Sequence, residues 1–534
     1  MVVFGIEFAL AALLVLFAFT WRWMEPFARR LSSKTAWCML FLAILPVALR
    51  LALLSHHPAP SPDVYDEFSH LLVADTLRHF RLANPPHALP QFFETFFVLQ
   101  EPTYSSIYPI GQGLALALGR AVFGTPWAGV ILCTAAFCAL CYWMLRAWTT
   151  PGWALAGGIL AVIEFGPLCT WMNSYWGGSL AASAGCLVFG ALPRLRAYGR
   201  TRDAVFLGAG LGVHLLTRPY ESVFLIASVV LFFLPRPWRF WRPFAIAAAV
   251  ALPALCVTLL QNKQVTGSWT TLPYMLSQFQ YGVPAALTIQ ANVVPHRGLT
   301  PPQALDYKMQ RSFHGDRPET IGSFVERLEY RVRFYRFFFL APLYLVLPVF
   351  LWRLREHRFV WVVVTLALFA LGVNLFPAFQ LHYLAAVTCL FVLVCVVGLE
   401  QLGSLKAGHE AAQLIVLLCI AQFLYWYGIH LAGNTDAPFE TWHTLDHGNA
   451  NRVAVSRQLA QQSGRQLVFV HYAPQHIFQE EWVWNEADID AARVVWARDL
   501  GTDENRKLLA YYPGRTVWLL DPDQSPAHLN PYPH

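Results

Sequence analysis

Apolar residues form long uninterrupted runs over the first 430 residues of this chain, and short polar stretches separate the runs. A helix needs about 20 apolar residues to cross the hydrocarbon core of a bilayer. Runs of about this length predict roughly twelve transmembrane helices, near residues 2–21, 36–54, 126–146, 153–170, 177–193, 203–219, 221–235, 243–261, 337–352, 359–376, 382–399 and 412–430. The pattern therefore predicts an all-α polytopic membrane bundle.

Two shorter patterns lie in the polar stretch 55–125, between the second and third predicted spans. In residues 66–80, apolar residues recur at helical spacing, so a helix there would have one apolar and one polar face. The apolar run 108–123 is too short to cross a membrane, and proline and glycine flank its start. We expect both segments to be helices that lie along the membrane surface or re-enter it.

Basic residues cluster in alternate loops of the predicted bundle. An excess of lysine and arginine marks the loops that stay in the cytoplasm. The clusters lie at 22–34, 194–202, 236–242 and 353–358. The stretches 55–125, 262–336 and 432–534 are then expected on the exterior side of the membrane.

The last hundred residues have a different pattern, because their apolar runs shorten to strand length. Strands are predicted at 466–471, 493–496 and 515–520, with helices near 450–463 and 502–511. Alternating helices and strands indicate a small α/β domain.

This organisation divides the chain into three regions. Residues 1–35 are expected to form an extra N-terminal span with a basic cytoplasmic loop. Residues 36–431 form the transmembrane domain, with exterior loops 55–125 and 262–336. Residues 432–534 form the exterior α/β domain.

Composition supports the membrane assignment. Hydrophobic residues make up 56% and charged residues 13% of the 534 residues, whereas soluble domains carry about 25% charged residues. The formal net charge of +6 comes from the clustered loop residues and does not predict nucleic-acid binding. All ten cysteines lie in apolar runs, so a disulfide-stapled exterior domain is not expected.

The strongest candidate for chemistry is a carboxylate cluster, Asp63, Asp66 and Glu67, that follows the predicted span 36–54. Acids at the start of a helix commonly cap it and interact favourably with its dipole. Adjacent, partly desolvated acids also raise each other's pKa. A carboxylate in that state can take the proton of a hydroxyl that attacks a sugar. We expect Asp66 to be catalytic, with Glu67 beside it, and Asp63 to support the turn.

The order of the motifs resembles the GT-C superfamily of polytopic glycosyltransferases. The resemblance covers roughly residues 36–400 and rests on the segments 66–72, 101–102 and 108–113, which read DEFSHLL, EP and YPIGQG. It is shared with aminoarabinose lipid A transferases, protein O-mannosyltransferases and related sugar transferases of the bacterial inner membrane. It implies a polyprenyl-phosphate sugar donor, Asp66 as the catalytic carboxylate, and Glu101 and Tyr108 near the substrate groove.

A lipid-phosphate leaving group needs a cation or hydrogen-bond donors, because negative charge develops on it. Arg218, at the exterior end of span 203–219, is the first candidate, although Glu221 could pair with it. Arg297 and Arg311 are poorer candidates. The resemblance also points to His382-Tyr383, where similar transferases carry Arg-Tyr. Either His382 is protonated beside the phosphate, or a neutral His382 leaves the fixed charge to Arg218.

A second departure from the family pattern lies at Asn173, in an exterior turn where similar proteins often carry an acid. The nearest acid is Glu164, inside a predicted span. A buried intramembrane acid is costly and needs a partner, so Glu164 either braces the bundle or takes part in catalysis. Asn173 and Glu164 are kept as candidates for the substrate groove.

The leading interpretation is an inverting glycosyltransferase of the bacterial inner membrane. Asp66 would be the general base, and Arg218, His382 and Tyr383 would bind the donor phosphate. The partners would be the lipid-linked donor, an extracytoplasmic glycan, lipid or protein acceptor, and the bilayer. The donor carries its own leaving group, so no cofactor is required. A divalent cation is not favoured, because few acids are in reach.

Two other functions fit some features of the pattern. A transporter or flippase of lipid-linked glycans would show two related halves, and no such repeat is visible. A non-catalytic scaffold would use residues 432–534 to bind a cell-wall polymer or a protein. Substitution Asp66→Asn separates these possibilities, because only an enzyme would lose transfer activity.

Overall fold

The structure is a computed structural model that describes residues 30–234, 240–316, 319–406, 408–433 and 449–533. The predicted span 2–21 and the basic residues Arg22, Arg29, Arg236 and Arg239 lie outside the described residues. The expected N-terminal region, residues 1–35, is therefore described only from residue 30 onward.

Helices form at the positions of the other predicted apolar segments, and most of the described chain before residue 434 is helical. The helices are α1 (Thr35–Ala52), α2 (Tyr65–Arg78), α3 (Ile110–Phe123), α4 (Pro126–Leu145), α5 (Pro151–Phe165), α6 (Ser179–Tyr198), α7 (Thr201–Thr217), α8 (Pro219–Phe233), α9 (Trp241–Thr266), α10 (Pro273–Tyr281), α11 (Pro301–His314), α12 (Ile321–Val332), α13 (Leu347–Phe350), α14 (His357–Val373), α15 (Thr388–Gly403) and α16 (Gly408–Leu431). Several begin with proline, which suits the first helical position because no N–H is needed there.

Five helices in the described portion of the chain are long and apolar enough to cross a membrane: α1, α4, α9, Leu381–Gly403 and α16. A sixth candidate is the pair Ile321–Phe338 and Ala341–Arg355, which is bent by 111°. The predicted span 337–352 falls on this pair, where Pro342 and Pro348 each lie in the first turn of a new short helix. Other apolar helices, such as α5 and α8, are shorter. The count of twelve crossings stays a prediction.

The two short helices predicted in the first loop are α2 and α3, and they pack closely on each other. A Cβ atom added to Gly113 would lie 2.3 Å from Val73 Cγ1. One added to Gly111 would lie 2.6 Å from the carbonyl oxygen of Leu216, at the end of α7. These two glycines let α3 pack closely on the middle of α2 and on the end of α7.

The C-terminal region contains the predicted strands and helices, with α17 (Ala450–Gln461) and α18 (Thr502–Tyr511) beside the sheet. The strands β3 (Gln466–Val470), β4 (Val494–Arg498), β5 (Thr516–Asp521) and β6 (His528–Pro531) follow a two-residue pair, β1 (Val98–Leu99) and β2 (Ser105–Ser106), in the first loop. The sheet order is β4-β3-β5-β6, with β6 antiparallel and the other pairs parallel. The small α/β region is therefore confirmed.

This region packs directly on the first loop. The indole of Trp484 donates to the carbonyl oxygen of Phe68 at 2.7 Å, and Arg498 Nε donates to the carbonyl oxygen of Glu94 at 2.7 Å. One hydrophobic core includes Leu72 and Phe93 of the loop together with Phe469 and other residues of the sheet. The helix that begins with the DE pair is thus held from two sides.

Candidate active site

A cavity of about 580 Å³ lies where the start of α2, the α7–α8 junction and the 381–387 turn meet. Five of the residues singled out in the sequence line it: Asp66, Tyr108, Arg218, His382 and Tyr383. Glu67, Glu101, Asn173 and Glu164 do not line it, and neither do the poorer candidates Arg297 and Arg311. The fold therefore brings together residues from four distant segments of the chain.

Asp66 is the second residue of α2 and is buried. Burial raises the pKa of its carboxyl group to about 7, and the nearby carboxylates of Asp306 and Glu67 act in the same direction. The phenol of Tyr108 donates a hydrogen bond to Asp66 Oδ1, and this bond lowers the pKa in part. A carboxylate with this pKa can accept a proton near neutral pH.

Glu67 points away from the cavity and is fully buried. Its Oε2 accepts the backbone N–H groups of Asp63 at 2.9 Å and Val64 at 3.4 Å, and its Oε1 accepts the backbone N–H of Tyr175 at 2.7 Å. These bonds cap the start of α2 and tie it to the turn after α5. The two adjacent acids therefore have different surroundings, and Glu67 holds the helix end that carries Asp66.

Arg218 lies at the junction of α7 and α8, where Pro219 begins the second helix. Its guanidinium lies 5.3 Å from the centroid of the Tyr383 ring. Within the described residues, this side chain makes no hydrogen bond and has no carboxylate oxygen within 4.0 Å, so Glu221 does not pair with it. The N–H groups of a cation that lines the cavity are thus uncommitted.

His382 and Tyr383 open the turn Leu381–Val387, which runs into α15. The ring of His382 lies 5.2 Å from that of Trp176 and 5.0 Å from that of Tyr383. The Tyr383 ring also lies beside the Arg218 guanidinium. This pair adds hydrogen-bonding groups, but no fixed charge, to the wall near Arg218.

The remaining candidates do not contribute to the cavity wall. Glu101 is exposed, and its Oε2 accepts from Arg297 Nη1 at 2.7 Å. Asn173 is buried, and its Oδ1 accepts from Arg50 Nε at 2.5 Å, so it links the turn after α5 to α1. Glu164 is buried near the end of α5.

Two cavity residues and one nearby acid were not found from the sequence. His70 follows Asp66 by one helical turn, and its ring stacks on that of Tyr108 at 4.3 Å. Asn262 lines the cavity from the end of α9. Asp306 of α11 is fully buried, which raises its pKa to about 6. The helical spacing from Asp66 could have indicated His70, whereas nothing local distinguishes Asn262 or Asp306.

A metal site was also sought. Over the residues that the structure describes, no group of three or more His, Cys, Asp or Glu side chains could hold a metal ion. That a divalent cation is not favoured therefore stays a prediction from the sequence.

Comparison with known proteins identifies solved structures that have a similar fold. No protein-family model matches the chain, and no curated protein sequence matches it. The crystal structure of ArnT from Cupriavidus metallidurans in the apo state is similar with a TM-score of 0.51 and 11% identity, over 92% of this chain and 93% of that one. The same protein bound to undecaprenyl phosphate gives a TM-score of 0.50 and 13% identity, over 91% and 93% of the two chains. The chain thus has the same overall fold as these two structures, in keeping with the motif resemblance.

Proposed function

We propose that this protein is a membrane glycosyltransferase that moves a sugar from a polyprenyl-phosphate carrier to an acceptor on the extracytoplasmic side. The observation that carries the proposal is one cavity that is lined by both a buried base, Asp66, and an uncommitted cation, Arg218. A protein of the same fold has been crystallised with undecaprenyl phosphate. A carrier of that chemistry suits a cavity with one cation and many apolar groups.

In the proposed reaction, one side of the cavity supplies the base and the other side binds the leaving phosphate. An acceptor hydroxyl attacks the anomeric carbon, and its proton passes to the Asp66 carboxylate. The bond between the anomeric carbon and the phosphate oxygen breaks, and its electron pair stays on the polyprenyl phosphate. Arg218 stabilises that charge, with hydrogen bonds from His382 and Tyr383. Attack opposite the leaving group inverts the anomeric configuration.

Tyr108 and Glu67 support the base without contacting the reacting atoms. The Tyr108 phenol fixes the rotamer of Asp66 and limits the rise of its pKa. Glu67 keeps the first turn of α2 in place through three backbone hydrogen bonds. We therefore assign Glu67 a positioning role beside the catalytic Asp66.

The membrane arrangement belongs to the same proposal. About twelve crossings, a bacterial inner-membrane location and exterior placement of the C-terminal region put the cavity at the outer face of the membrane. Apolar cavity residues such as Leu180, Met275 and Phe313 would then contact the lipid chain near the phosphate. The acceptor would enter from the aqueous side.

The test is donor consumption by full-length protein in membranes that contain native acceptors. Polyprenyl-phosphate sugars would be supplied, and release of sugar-free polyprenyl phosphate would be measured by mass spectrometry. We expect Asp66→Asn to reduce release by about 10²- to 10⁴-fold, the usual contribution of a general base. The matched control is Asp503→Asn, an acid-to-amide change on exposed α18.

The control should keep the wild-type rate. If correctly inserted wild-type protein consumes no donor, or if Asp66→Asn is as active as the wild type, the proposal is wrong. Insertion is checked by the melting temperature and the chromatographic profile of each variant.

A further inference from the structure

Helix α12 has an apolar stripe that is largely exposed. Ile321, Val325, Leu328 and Val332 recur at helical spacing, so their side chains share one face of the helix. Ile321 is 86% exposed, Val325 53% and Val332 50%. A row of exposed apolar side chains marks a surface that contacts another apolar phase or a partner.

The arginines of α12 bind the end of the apolar helix α14. Arg327 Nε donates to the carbonyl oxygen of Asn374 at 2.9 Å, and Arg331 Nη1 donates to that of Val373 at 3.1 Å. Asn374 Nδ2 donates in return to the carbonyl oxygen of Phe324 at 2.8 Å. The last carbonyl groups of a helix have no partner within it, and arginine side chains can satisfy them. Helix α12 is therefore fixed at the level where α14 ends.

The end of α14 is a predicted membrane boundary, because the sequence predicts a span at 359–376. Along its length, α14 exposes the apolar side chains of Val360, Val363, Val364 and Leu371. Leu371 lies in the last turn, close to the residues that α12 contacts, and is 45% exposed. A helix that is held at the end of a membrane helix lies at the depth of the lipid headgroups.

The bend after α12 joins two arms of different composition. The first arm, Ile321–Phe338, contains six charged side chains, whereas the second, Ala341–Arg355, contains two, both near its far end. Charged side chains inside the hydrocarbon core are costly, so the first arm is not suited to cross it. The angle of 111° between the arms is that of a helix along the membrane surface followed by one that enters the membrane.

Helix α12 also contacts two segments that form the cavity wall. Arg331 Nη2 donates to the carbonyl oxygen of Phe376 at 2.7 Å, and Arg327 Nη2 donates to Thr288 Oγ1 at 3.3 Å. Phe376 lines the cavity, as does Leu287, which precedes Thr288. The level of α12 in the membrane therefore determines the level of this wall.

Resting on the membrane arrangement of the proposed function, we infer that α12 lies in the bilayer interface at the level of the cavity. Its apolar stripe contacts acyl chains just beneath the headgroups, and the exposed Glu326 and Glu329 face water. Through Arg327 and Arg331 the helix holds one wall of the cavity at this depth. A lipid-linked phosphate lies at the same depth, so the donor reaches the cavity along the bilayer.

The experiment places one nitroxide label at a time on full-length protein in vesicles of phosphatidylethanolamine and phosphatidylglycerol. The labelled positions on the apolar stripe are Ile321→Cys and Val325→Cys. The matched controls are Glu326→Cys and Glu329→Cys, which are exposed on the polar side of the same helix. The melting temperature of each labelled protein confirms that it is folded.

A reference for the membrane interior is Val363→Cys in α14, where the native side chain is 40% exposed. The exposed native thiol, Cys256, is replaced by serine, and protein without an introduced cysteine gives the background signal. Spin-relaxation measurements then count collisions of each label with oxygen, which concentrates in hydrocarbon, and with a nickel chelate, which stays in water.

We expect the ratio of oxygen to nickel collisions at positions 321 and 325 to exceed that at 326 and 329 by at least about 5-fold, because only the stripe is in contact with acyl chains. The ratio at position 363 should be higher still, since the interface is shallower than the hydrocarbon core.

Equal access of nickel to all four positions of α12 would place the helix in water and overturn the inference. Exclusion of both reagents at 321 and 325 would overturn it as well, because a second copy or another segment of the chain would then cover the stripe. A ratio there as high as at position 363 would place α12 inside the hydrocarbon core, which also contradicts the inference.

Donor consumption by the same labelled proteins separates this inference from the proposed function. If the stripe is in the interface and no donor is consumed, the proposed reaction fails and the inference stands. If donor is consumed and the stripe is in water or covered by protein, the inference fails alone.

Discussion

Helix α2 has a buried aspartate near each end, and the two carboxylates have opposite surroundings. Asp66, at the first turn, lines the cavity and accepts the phenol O–H of Tyr108. No cation lies within 4.0 Å of it among the described residues. Burial without a counter-ion raises its pKa to about 7.

Asp75, at the last turn, is surrounded by donors. Its Oδ2 accepts the backbone N–H of Ala487 at 2.8 Å. Arg78 lies 3.3 Å from Oδ1, and Arg120 lies 3.9 Å from it. The carboxylate therefore joins α2, α3 and the C-terminal region.

The comparison teaches that burial alone does not identify a reactive acid. Both residues are less than a tenth exposed, and only the one that faces open volume can reach a substrate. The carboxylate of Asp75, which several donors contact, stabilises the fold. The carboxylate of Asp66, which has no counter-ion, can gain and lose a proton near neutral pH.

The first prediction separates these roles by equivalent substitutions at the two ends. Asp66→Asn should reduce turnover by about 10²- to 10⁴-fold, and Asp75→Asn should change it by less than about 10-fold. Stability should change in the opposite order, because Asp75→Asn weakens the contacts of a buried carboxylate with the Ala487 N–H and with the partly exposed Arg78 and Arg120. The cost should be about 1–3 kcal/mol. Turnover and melting temperature of both variants test this.

The raised pKa of Asp66 predicts the direction in which the free energy of unfolding changes with pH. The pKa of Asp66 is about 7 in the folded protein and near 4 in the unfolded chain, so the folded state binds more protons between these values. The stability contribution of Asp66 is then lost as the pH rises from about 4 to 7. Asp66→Asn should melt no lower than wild type at pH 8. A lower melting temperature there would contradict the assignment of an uncompensated carboxylate.

Much of this comparison could be read from the sequence, since the helices follow from local apolar periodicity. The short helix that begins beside the acids at 66 and 67 and the strands β3, β4 and β5 lie close to the predicted segments, whereas β6 was not predicted. The choice of Asp66 over Glu67 agrees with the cavity lining, but no local pattern fixes which of the two acids faces the cavity, because this depends on the rotation of α2. Glu67 accepts a hydrogen bond from the backbone N–H of Tyr175, which lies more than 100 residues away in the sequence.

The same limit applies to the far end of α2 and to Arg218. Ala487 reaches Asp75 across 412 residues of sequence, and no local pattern predicts such a contact. Glu221 follows Arg218 closely, yet the helix break at Pro219 prevents the ion pair that their spacing suggests. His70 is the exception, because its distance from Asp66 is a regular helical repeat.

The second prediction concerns Tyr108, whose hydrogen bond distinguishes the surroundings of Asp66 from simple burial. Tyr108→Phe removes a bond that lowers the pKa of Asp66, so this pKa should rise. In the proposed mechanism the base acts in its ionised form, so the rising limb of the pH–rate profile should move to higher pH. At pH 6 the rate should fall by about 5-fold, the equivalent of about 1 kcal/mol.

The matched control is Tyr175→Phe. That phenol donates to the carbonyl oxygen of Pro60 at 2.8 Å and does not touch Asp66. Its loss should leave the midpoint of the profile unchanged. A shift to lower pH in Tyr108→Phe would show that the phenol does not stabilise the carboxylate.

The third and smallest effect concerns the contact that supports α2 between its two aspartates. Trp484→Phe removes an N–H group that donates to the carbonyl oxygen of Phe68 and leaves an aromatic ring 5.5 Å from that of Phe68. One neutral hydrogen bond contributes about 1 kcal/mol, so the melting temperature should fall slightly and kcat by less than about 3-fold. Trp518→Phe is the matched control, because its indole donates to Gln466 within the sheet at 3.1 Å. If Trp484→Phe lowers kcat at unchanged KM while Trp518→Phe does not, docking of the C-terminal region positions Asp66. If the two variants have equal effects, the hydrogen bond from Trp484 to Phe68 contributes only to stability.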